Sequence, residues 1–161
     1  MTLGDSFPSE LKKELIEKDL IPGRFIYLFC PFTTPPKNKY FLVVSINPLV
    51  LLFIVNTTVN PFILNNPKLL EAQLLLKQSD YSFLDHDSYL ACHEIIDKFG
   101  LREIEEILFK DLSRIKGFLY RTTRDEIVKI LNKNMTLTLK QRVNIINSLS
   151  AISFDTPLIS E

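Results

Sequence analysis

The spacing of hydrophobic residues changes near residue 95. Before that point, apolar segments without a helical period are separated by short polar or proline-containing turns, a pattern typical of β-strands. The predicted strands cover residues 24–32, 40–46, 49–56, 72–77 and 88–93. After it, apolar residues recur at intervals of three and four, which predicts helices. Repeated strands joined by short loops, with no helix between them, favour a small antiparallel barrel.

Two segments are open to a second interpretation. Residues 69–77 are rich in Leu, Glu, Ala and Gln, which favour helices. We nevertheless assign a strand to 72–77, because three long apolar strands need a further partner to avoid a bare edge. Residues 103–112 fit a helix with Ile104, Ile107 and Leu108 on one face, and a strand is the alternative.

Capping signals predict where the helices begin. Ser9 is expected to cap a short amphipathic helix over 10–18. Two capping boxes, Thr123-x-x-Glu126 and Thr138-x-x-Gln141, predict helices over 124–132 and 139–149. We expect both helices to pack their apolar faces on the barrel or on a second copy. Those faces are predicted to carry Ile127, Ile130 and Leu131 in the first helix, and Val143, Ile146 and Leu149 in the second.

The expected fold class is α+β, mainly β with a helical C-terminal extension. We predict a single domain over 1–161, with the barrel in residues 20–95 and two or three helices in residues 100–152. Residues 33–39 and 57–68 are expected to be proline-containing loops, and residues from 153 onward a loose tail. A chain of 161 residues is long enough to bury a hydrophobic core.

The charge balance gives no general argument for a polyanionic partner, because 19 basic residues face 19 acidic ones. The distribution is uneven, however. Residues 110–142 contain nine basic residues and three acidic ones. Such a stretch can bind RNA, DNA or an acidic protein, and it fits solvated helix faces equally well.

The remaining sequence features bear on the cellular compartment and on metal binding. The N-terminus carries acids without an apolar core, and the apolar stretch 40–55 is too short and too interrupted to span a bilayer. Cys30 and Cys92 each have apolar neighbours, which suits buried thiols in a reducing cytoplasm. A zinc site from Cys92, His93 and His86 lacks the paired ligand spacing of such sites. We therefore expect a cytoplasmic protein with no membrane segment, metal or cofactor.

A dense polar segment, which we call the polar knot, occupies Asp85-His86-Asp87-Ser88-Tyr89. Clustered acid, imidazole and hydroxyl groups can line an active cleft. They can equally form a hydrogen-bonded turn that leads into a buried strand, since Asp and Ser accept from nearby backbone N–H groups. Both interpretations remain open from the sequence.

A second polar place flanks the strands predicted over 40–46 and 49–56. Lys37 and Lys39 precede the first of them, and Asn56, Thr57 and Thr58 close the second. If these strands pair tightly about Asn47-Pro48, we expect Lys39 and Thr57 to lie near each other at the open end of the hairpin. A lysine beside a hydroxyl can hold a phosphate. Hairpin ends are also commonly polar without any function.

The residues of this hairpin resemble the MazF/PemK toxins of toxin–antitoxin modules. The resemblance rests on Lys39-Tyr-Phe-Leu-Val-Val-Ser45, on Phe53-Ile-Val-Asn-Thr-Thr58 and on Gly23-Arg-Phe-Ile-Tyr-Leu-Phe29. The polar knot resembles a divergent PemK-like branch. The similar region spans roughly residues 20–95, and its motifs are short. The Arg-Pro pair of the family is replaced by Lys39-Tyr40.

The resemblance implies an SH3-like barrel and a metal-independent endoribonuclease that cleaves single-stranded RNA. Lys39 falls where the catalytic arginine of the family stands, and Thr57 on the catalytic threonine. His86 and Asp87 would supply acid/base function. The RNA-binding residues would be Lys37, Asn56, Thr58 and Ser88. The implied partners are a small antitoxin protein and a second copy in a homodimer.

Two other functions remain open. The same barrel can serve as a catalytically inactive module that binds a protein through its helices. A metal-dependent nuclease using Asp85 and Asp87 is weaker, because magnesium sites usually draw carboxylates from separate elements.

Overall fold

A computed structural model describes residues 7–154. Its strands are β1 (Arg24–Cys30), β2 (Lys37–Ser45), β3 (Leu51–Asn56), β4 (Gln73–Leu76), β5 (Ser88–Ala91) and β6 (Ile115–Phe118). Its helices are α1 (Ser9–Asp19), α2 (Pro61–Leu64), α3 (Pro67–Glu71), α4 (Leu101–Lys110), α5 (Arg121–Lys133) and α6 (Leu139–Ser150). A single 3₁₀ turn, Leu112–Arg114, precedes β6.

The six strands form one curled antiparallel sheet, a half-barrel with the order β4-β5-β3-β2-β1-β6. All five strands predicted from the sequence are present, within a few residues of their expected ends. The α+β class is therefore confirmed. The sheet also contains β6, which the sequence did not predict and which pairs with the outer side of β1.

Helices cover both faces of the sheet, because successive side chains of a strand point to opposite sides. The front face, with Ile26, Phe41 and Leu52, packs against Ile16 of α1 and Leu108 of α4. The back face packs against α5 and α6. Its core consists of Phe25, Leu42 and Phe53 from the sheet with Ile127, Leu131, Ile145 and Leu149 from the helices. A sheet buried on both sides explains why its central strands are apolar without alternation.

Helix starts agree with the capping signals in one case out of three. The predicted box at Thr138 is formed, with the Thr138 side chain accepting from the Gln141 N–H. The box predicted at Thr123 is wrong, because α5 begins three residues earlier, at Arg121, and Thr123 is buried within it. The cap predicted at Ser9 is also wrong, since Ser9 is the first helical residue and Pro8 precedes it.

The segment predicted as a loop over 57–68 contains the short helix α2 and the start of α3. Asn60 caps α2 by accepting from the Ile63 N–H, and Asn66 caps α3 by accepting from the Leu69 N–H. Each asparagine is followed by proline at the first helical position, where the missing N–H costs nothing. The two Asn-Pro pairs were therefore helix starts.

The inward face of α6 differs from the prediction. Ile145 and Leu149 are fully buried, whereas Val143 is 46% exposed. Of the predicted face, Leu149 is buried and Ile146 packs against the core, so the prediction is wrong only at Val143. No helix within residues 7–154 is long and apolar enough to cross a membrane. Most of the tail predicted from residue 153 lies outside the described residues.

Candidate functional site

Lys39 and Asn56 meet on the front face, near the open end of the β2–β3 hairpin. The Lys39 ammonium Nζ donates a hydrogen bond to Asn56 Oδ1 at 2.9 Å. Both residues lie on the side of the sheet that carries Phe41 and Ile54, because two residues along a strand return to the same face. The structure thus brings together two of the predicted site residues.

The pairing partner of Lys39 is set by an irregularity in β2. Ser45 pairs with Leu51 beside the hairpin turn, and that register would place Lys39 opposite Thr57. The register shifts by one between Val43 and Ser45, and Phe41 then pairs with Ile54. Two positions farther along, the same register places Lys39 opposite Asn56. A one-residue slip moves the facing side chain to the other side of a strand, so Asn56 contacts Lys39 and Thr57 does not.

The Lys39 ammonium is held partly out of water. Burial lowers its pKa, and the positive charge of nearby Lys37 lowers it further, while Cys30 acts in the opposite direction. A partly desolvated cation next to a like charge gains more from a bound anion than a solvated lysine does. A phosphate group would supply that anion, with Asn56 holding the ammonium in place.

Other residues of the front face complete a cationic surface with aromatic groups. Lys37 lies two residues from Lys39 within β2, so it is part of the strand and not of the predicted loop. Lys98 Nζ lies 4.3 Å from the centre of the Phe32 ring. The Phe32 ring contacts Phe99, with centroids 6.1 Å apart. These contacts place three lysines at one end of the sheet.

Tyr89 extends the row across a third strand. It pairs with Asn56 in the β3–β5 ladder, and directly opposed residues share a face. Lys39, Asn56 and Tyr89 therefore lie side by side on β2, β3 and β5. In the sequence, Tyr89 belongs to the polar knot. Its position in the predicted strand 88–93 was the signal that could have identified it.

Thr57 and Thr58 lie just beyond the end of β3, and both are exposed. Thr57 follows the residue that holds Lys39, so its backbone is adjacent to the site. Its side chain makes no hydrogen bond with any residue in the described part of the chain. The structure therefore puts Thr57 at the rim and Asn56 at the centre.

The polar knot forms a hydrogen-bonded turn before β5. Asp87 Oδ1 accepts from the Gln78 backbone N–H at 2.8 Å, and the Ser88 hydroxyl donates to the His86 carbonyl at 3.0 Å. Ser88 is buried, while Asp85, His86 and Asp87 are exposed. These bonds favour the structural interpretation of Asp87 and Ser88. Since β5 pairs with the end of β3, the turn also lies beside Thr57.

The cysteines and His93 have structural surroundings. Cys92 is buried among apolar side chains, and burial raises the pKa of its thiol. His93 Nδ1 is 2.9 Å from Gln73 Nε2, and burial lowers the His93 pKa. Between residues 7 and 154, no three His, Cys, Asp or Glu side chains are grouped as metal ligands.

The candidate site consists of Lys37, Lys39, Asn56 and Tyr89 with Thr57 at its rim.

Comparison with protein families, curated proteins and solved structures finds no match for this chain. The site is consequently interpreted from its own geometry.

Proposed function

We propose that this protein is a metal-independent endoribonuclease with an SH3-like barrel of the MazF/PemK toxin type. In the proposed reaction, the 2′-hydroxyl oxygen of RNA attacks the adjacent phosphorus, and the bond to the 5′-oxygen breaks. His86 takes the proton of the 2′-hydroxyl and returns a proton to the leaving 5′-oxygen, while Asp87, which accepts from the Gln78 N–H, holds the turn that carries His86. The products are a 2′,3′-cyclic phosphate and a 5′-hydroxyl.

The observation that carries the proposal is the hydrogen bond from Lys39 to Asn56. It fixes a partly buried ammonium whose pKa is already lowered by burial and by Lys37. Negative charge builds on the phosphate oxygens during the attack, and a prepositioned cation stabilises that charge more than it stabilises the ground state. Lys39 is therefore assigned to the developing charge.

Two further residues take positioning roles in the proposal. Asn56 orients Lys39, and Thr57 at the rim binds a phosphate oxygen through its hydroxyl. Lys37, Thr58 and Ser88 complete the RNA-binding set suggested by the resemblance. Ser88 contributes least, because its hydroxyl is buried and already bonded. Lysine lacks the bidentate geometry of arginine, so a lower rate than that of an arginine-containing site is expected.

The proposal includes the partners that the resemblance implies. Single-stranded RNA is the substrate, a small antitoxin protein is the inhibitor, and the working form is a homodimer in the cytoplasm. Co-expression with a candidate antitoxin encoded next to this chain should relieve growth arrest.

RNA cleavage in the presence of EDTA tests the proposal. Purified protein is incubated with a labelled single-stranded RNA, and the fragment ends are analysed by mass spectrometry. We expect 2′,3′-cyclic phosphate ends and no dependence on divalent cations. Lys39→Ala should lower the rate by about 100-fold or more, as expected when a charge aimed at the developing oxyanion is removed.

Control variants separate chemistry from folding. Lys133→Ala removes an exposed lysine at the end of α5 and should cleave as the unmodified protein does. Thr57→Ala should lose less activity than Lys39→Ala. If the unmodified protein neither cleaves RNA nor arrests growth, yet binds a protein partner, the chain is the catalytically inactive binding module.

A further inference from the structure

The back face of the sheet carries an exposed aromatic surface beside β6. Tyr27 of β1 and Tyr40 of β2 are directly paired across the two strands, and their ring centroids are 4.6 Å apart. Phe29 lies two residues from Tyr27 on the same face, and 51% of its surface is exposed. Tyr27 and Tyr40 are partly exposed. We call Tyr27, Phe29 and Tyr40 the aromatic platform.

Tyr40 of the platform packs against Phe83. The Tyr40 hydroxyl donates to the Phe83 carbonyl at 3.0 Å, and the Tyr40 and Phe83 rings lie 5.2 Å apart. Phe83 contacts the fully buried Phe25, with centroids 5.1 Å apart. The Tyr40 ring, and Tyr27 packed on it, are thus fixed by packing that continues into the core. Rings held in this way bind a flat partner with little loss of conformational entropy.

Two cationic side chains lie over the Tyr27 ring of the platform. The Arg114 guanidinium lies 5.7 Å from the Tyr27 ring centre, and Lys116 Nζ lies 5.6 Å from it. Arg114 is fixed by donating to the Tyr27 carbonyl at 2.8 Å and to Asn38 Oδ1 at 3.0 Å. One carboxylate, that of Asp111, lies 3.8 Å from Arg114.

The charge of a second carboxylate acts on the Tyr40 pKa. The negative charge of Asp85 contributes to raising the Tyr40 pKa, after burial as the larger cause. Asp85 is two residues from Phe83, which contacts Tyr40, whereas Arg114 and Lys116 lie over Tyr27. This arrangement gives the platform a cationic end toward β6.

We propose that the aromatic platform binds single-stranded RNA, with a base stacked on the exposed Phe29 ring and backbone phosphates held by Lys116 and Arg114 over Tyr27. Each base has an aromatic face, so stacking accepts any sequence, and the cations over Tyr27 can pair with backbone phosphates. A duplex does not fit, because its bases are already stacked on one another. The charge complementarity of the β6 side selects a polyanion as the occupant.

The platform lies on the opposite face of the sheet from Lys39. Lys39 and Tyr40 are consecutive residues of β2, so their side chains point to opposite faces. The choice of RNA as the ligand rests on the proposed function, whereas the stacking surface itself does not depend on cleavage.

Fluorescence anisotropy with a labelled 2′-O-methyl RNA dodecamer tests the inference. This probe is single-stranded, and it cannot be cleaved because its 2′-oxygens are blocked. We expect Phe29→Ala to raise the Kd by about 5-fold to 100-fold, the loss typical of one stacked base. Lys116→Gln should raise the Kd and make binding less dependent on salt, because one phosphate contact is removed. Unlabelled single strands should compete, and duplex RNA should not.

A matched control is Phe62→Ala, which removes a 72% exposed phenylalanine from α2. The inference is overturned if Phe29→Ala and Phe62→Ala bind the probe equally well, or if duplex competes as well as single strands. A DNA dodecamer binding as tightly as the RNA probe assigns the platform to single strands of either kind and overturns the restriction to RNA.

Cleavage measured on the same proteins separates this inference from the proposed function. If Phe29→Ala weakens binding but no form of the protein cleaves RNA, the platform stands and the nuclease proposal fails. If Lys39→Ala abolishes cleavage while Phe29→Ala binds and cleaves normally, the nuclease stands and the platform is refuted.

Discussion

Lys39 stands opposite Asn56, and its ammonium donates a 2.9 Å hydrogen bond to the Asn56 side chain. The contact depends on the register shift between Val43 and Ser45, without which Thr57 would take the place of Asn56. A backbone irregularity far from the site has thus chosen the side chain that holds the proposed catalytic lysine. Irregularities of this kind commonly re-aim side chains near active sites.

Asn56→Ala should lower RNA cleavage by about 10-fold. The substitution removes an acceptor bonded to a charged group, and such bonds contribute about 1.5–3 kcal/mol. The measurement is kcat/KM on a labelled RNA. Asn132→Ala, which removes an exposed asparagine from α5, serves as the control and should leave the rate unchanged. An Asn56→Ala protein as active as this control would show that Lys39 does not need the bond.

Cleavage should decrease at alkaline pH below the range in which ordinary lysines titrate. Burial and Lys37 lower the Lys39 pKa from 10.5, and only the protonated form can stabilise a phosphate. Activity is therefore present below the Lys39 pKa and is lost as the pH rises through it. Lys39→Arg should remove this decrease, because a guanidinium remains charged. Rates corrected for spontaneous hydrolysis, measured from pH 7 upward, check both expectations. Identical alkaline limbs for the two proteins would contradict the assignment to Lys39.

Tyr81→Phe should destabilise the fold by about 1–3 kcal/mol, because buried polar groups lose their partner. The Tyr81 hydroxyl lies 2.7 Å from the Thr123 hydroxyl, and it also accepts from the Tyr120 N–H at 3.1 Å. Urea unfolding measures the change. Thr123→Ser keeps a hydroxyl at the same place and should cost less than Thr123→Val. Equal stability of the serine and valine variants would mean that the bond contributes nothing.

Ile145→Ala should destabilise by about 2–5 kcal/mol, since Ile145 is fully buried between α6 and the sheet. Val143→Ala lies on the same helix but removes a side chain that is 46% exposed, and it should change stability by less than about 1 kcal/mol. Thermal or urea unfolding of the two variants compares the faces directly. A larger loss of stability for Val143→Ala than for Ile145→Ala would contradict this orientation of α6.

The hydrophobic pattern identified most of the elements because the pattern is produced by burial. The strands from β1 to β5 and the helix α6 all follow from apolar spacing and local capping signals. These are properties of a few neighbouring residues, and a strand buried on both faces stays apolar wherever it packs. The sequence also drew attention to Lys39, Asn56 and the polar knot.

Several features depended on distant partners. The strand β6 is four residues long and includes Lys116 and Gly117, so it has no strand pattern of its own and exists because β1 offers an unpaired edge. Thr123 carries a capping-box signature, yet its hydroxyl lies beside that of Tyr81, 42 residues away. In both cases a local signal was absent or misleading because a tertiary contact decided the outcome.

The sequence by itself determined that the chain forms a mostly antiparallel sheet followed by helices, and that polar groups collect where the second strand begins and the third ends. The tertiary structure decided which of those groups touch. The register of β2 on β3 places Lys39 opposite Asn56. The β1–β2 pairing places Tyr27 beside Tyr40 on the back face. The physical reason is that hydrophobic periodicity reports which side of a strand is buried. A register shift of one residue depends on how the whole sheet packs, and it changes every cross-strand neighbour.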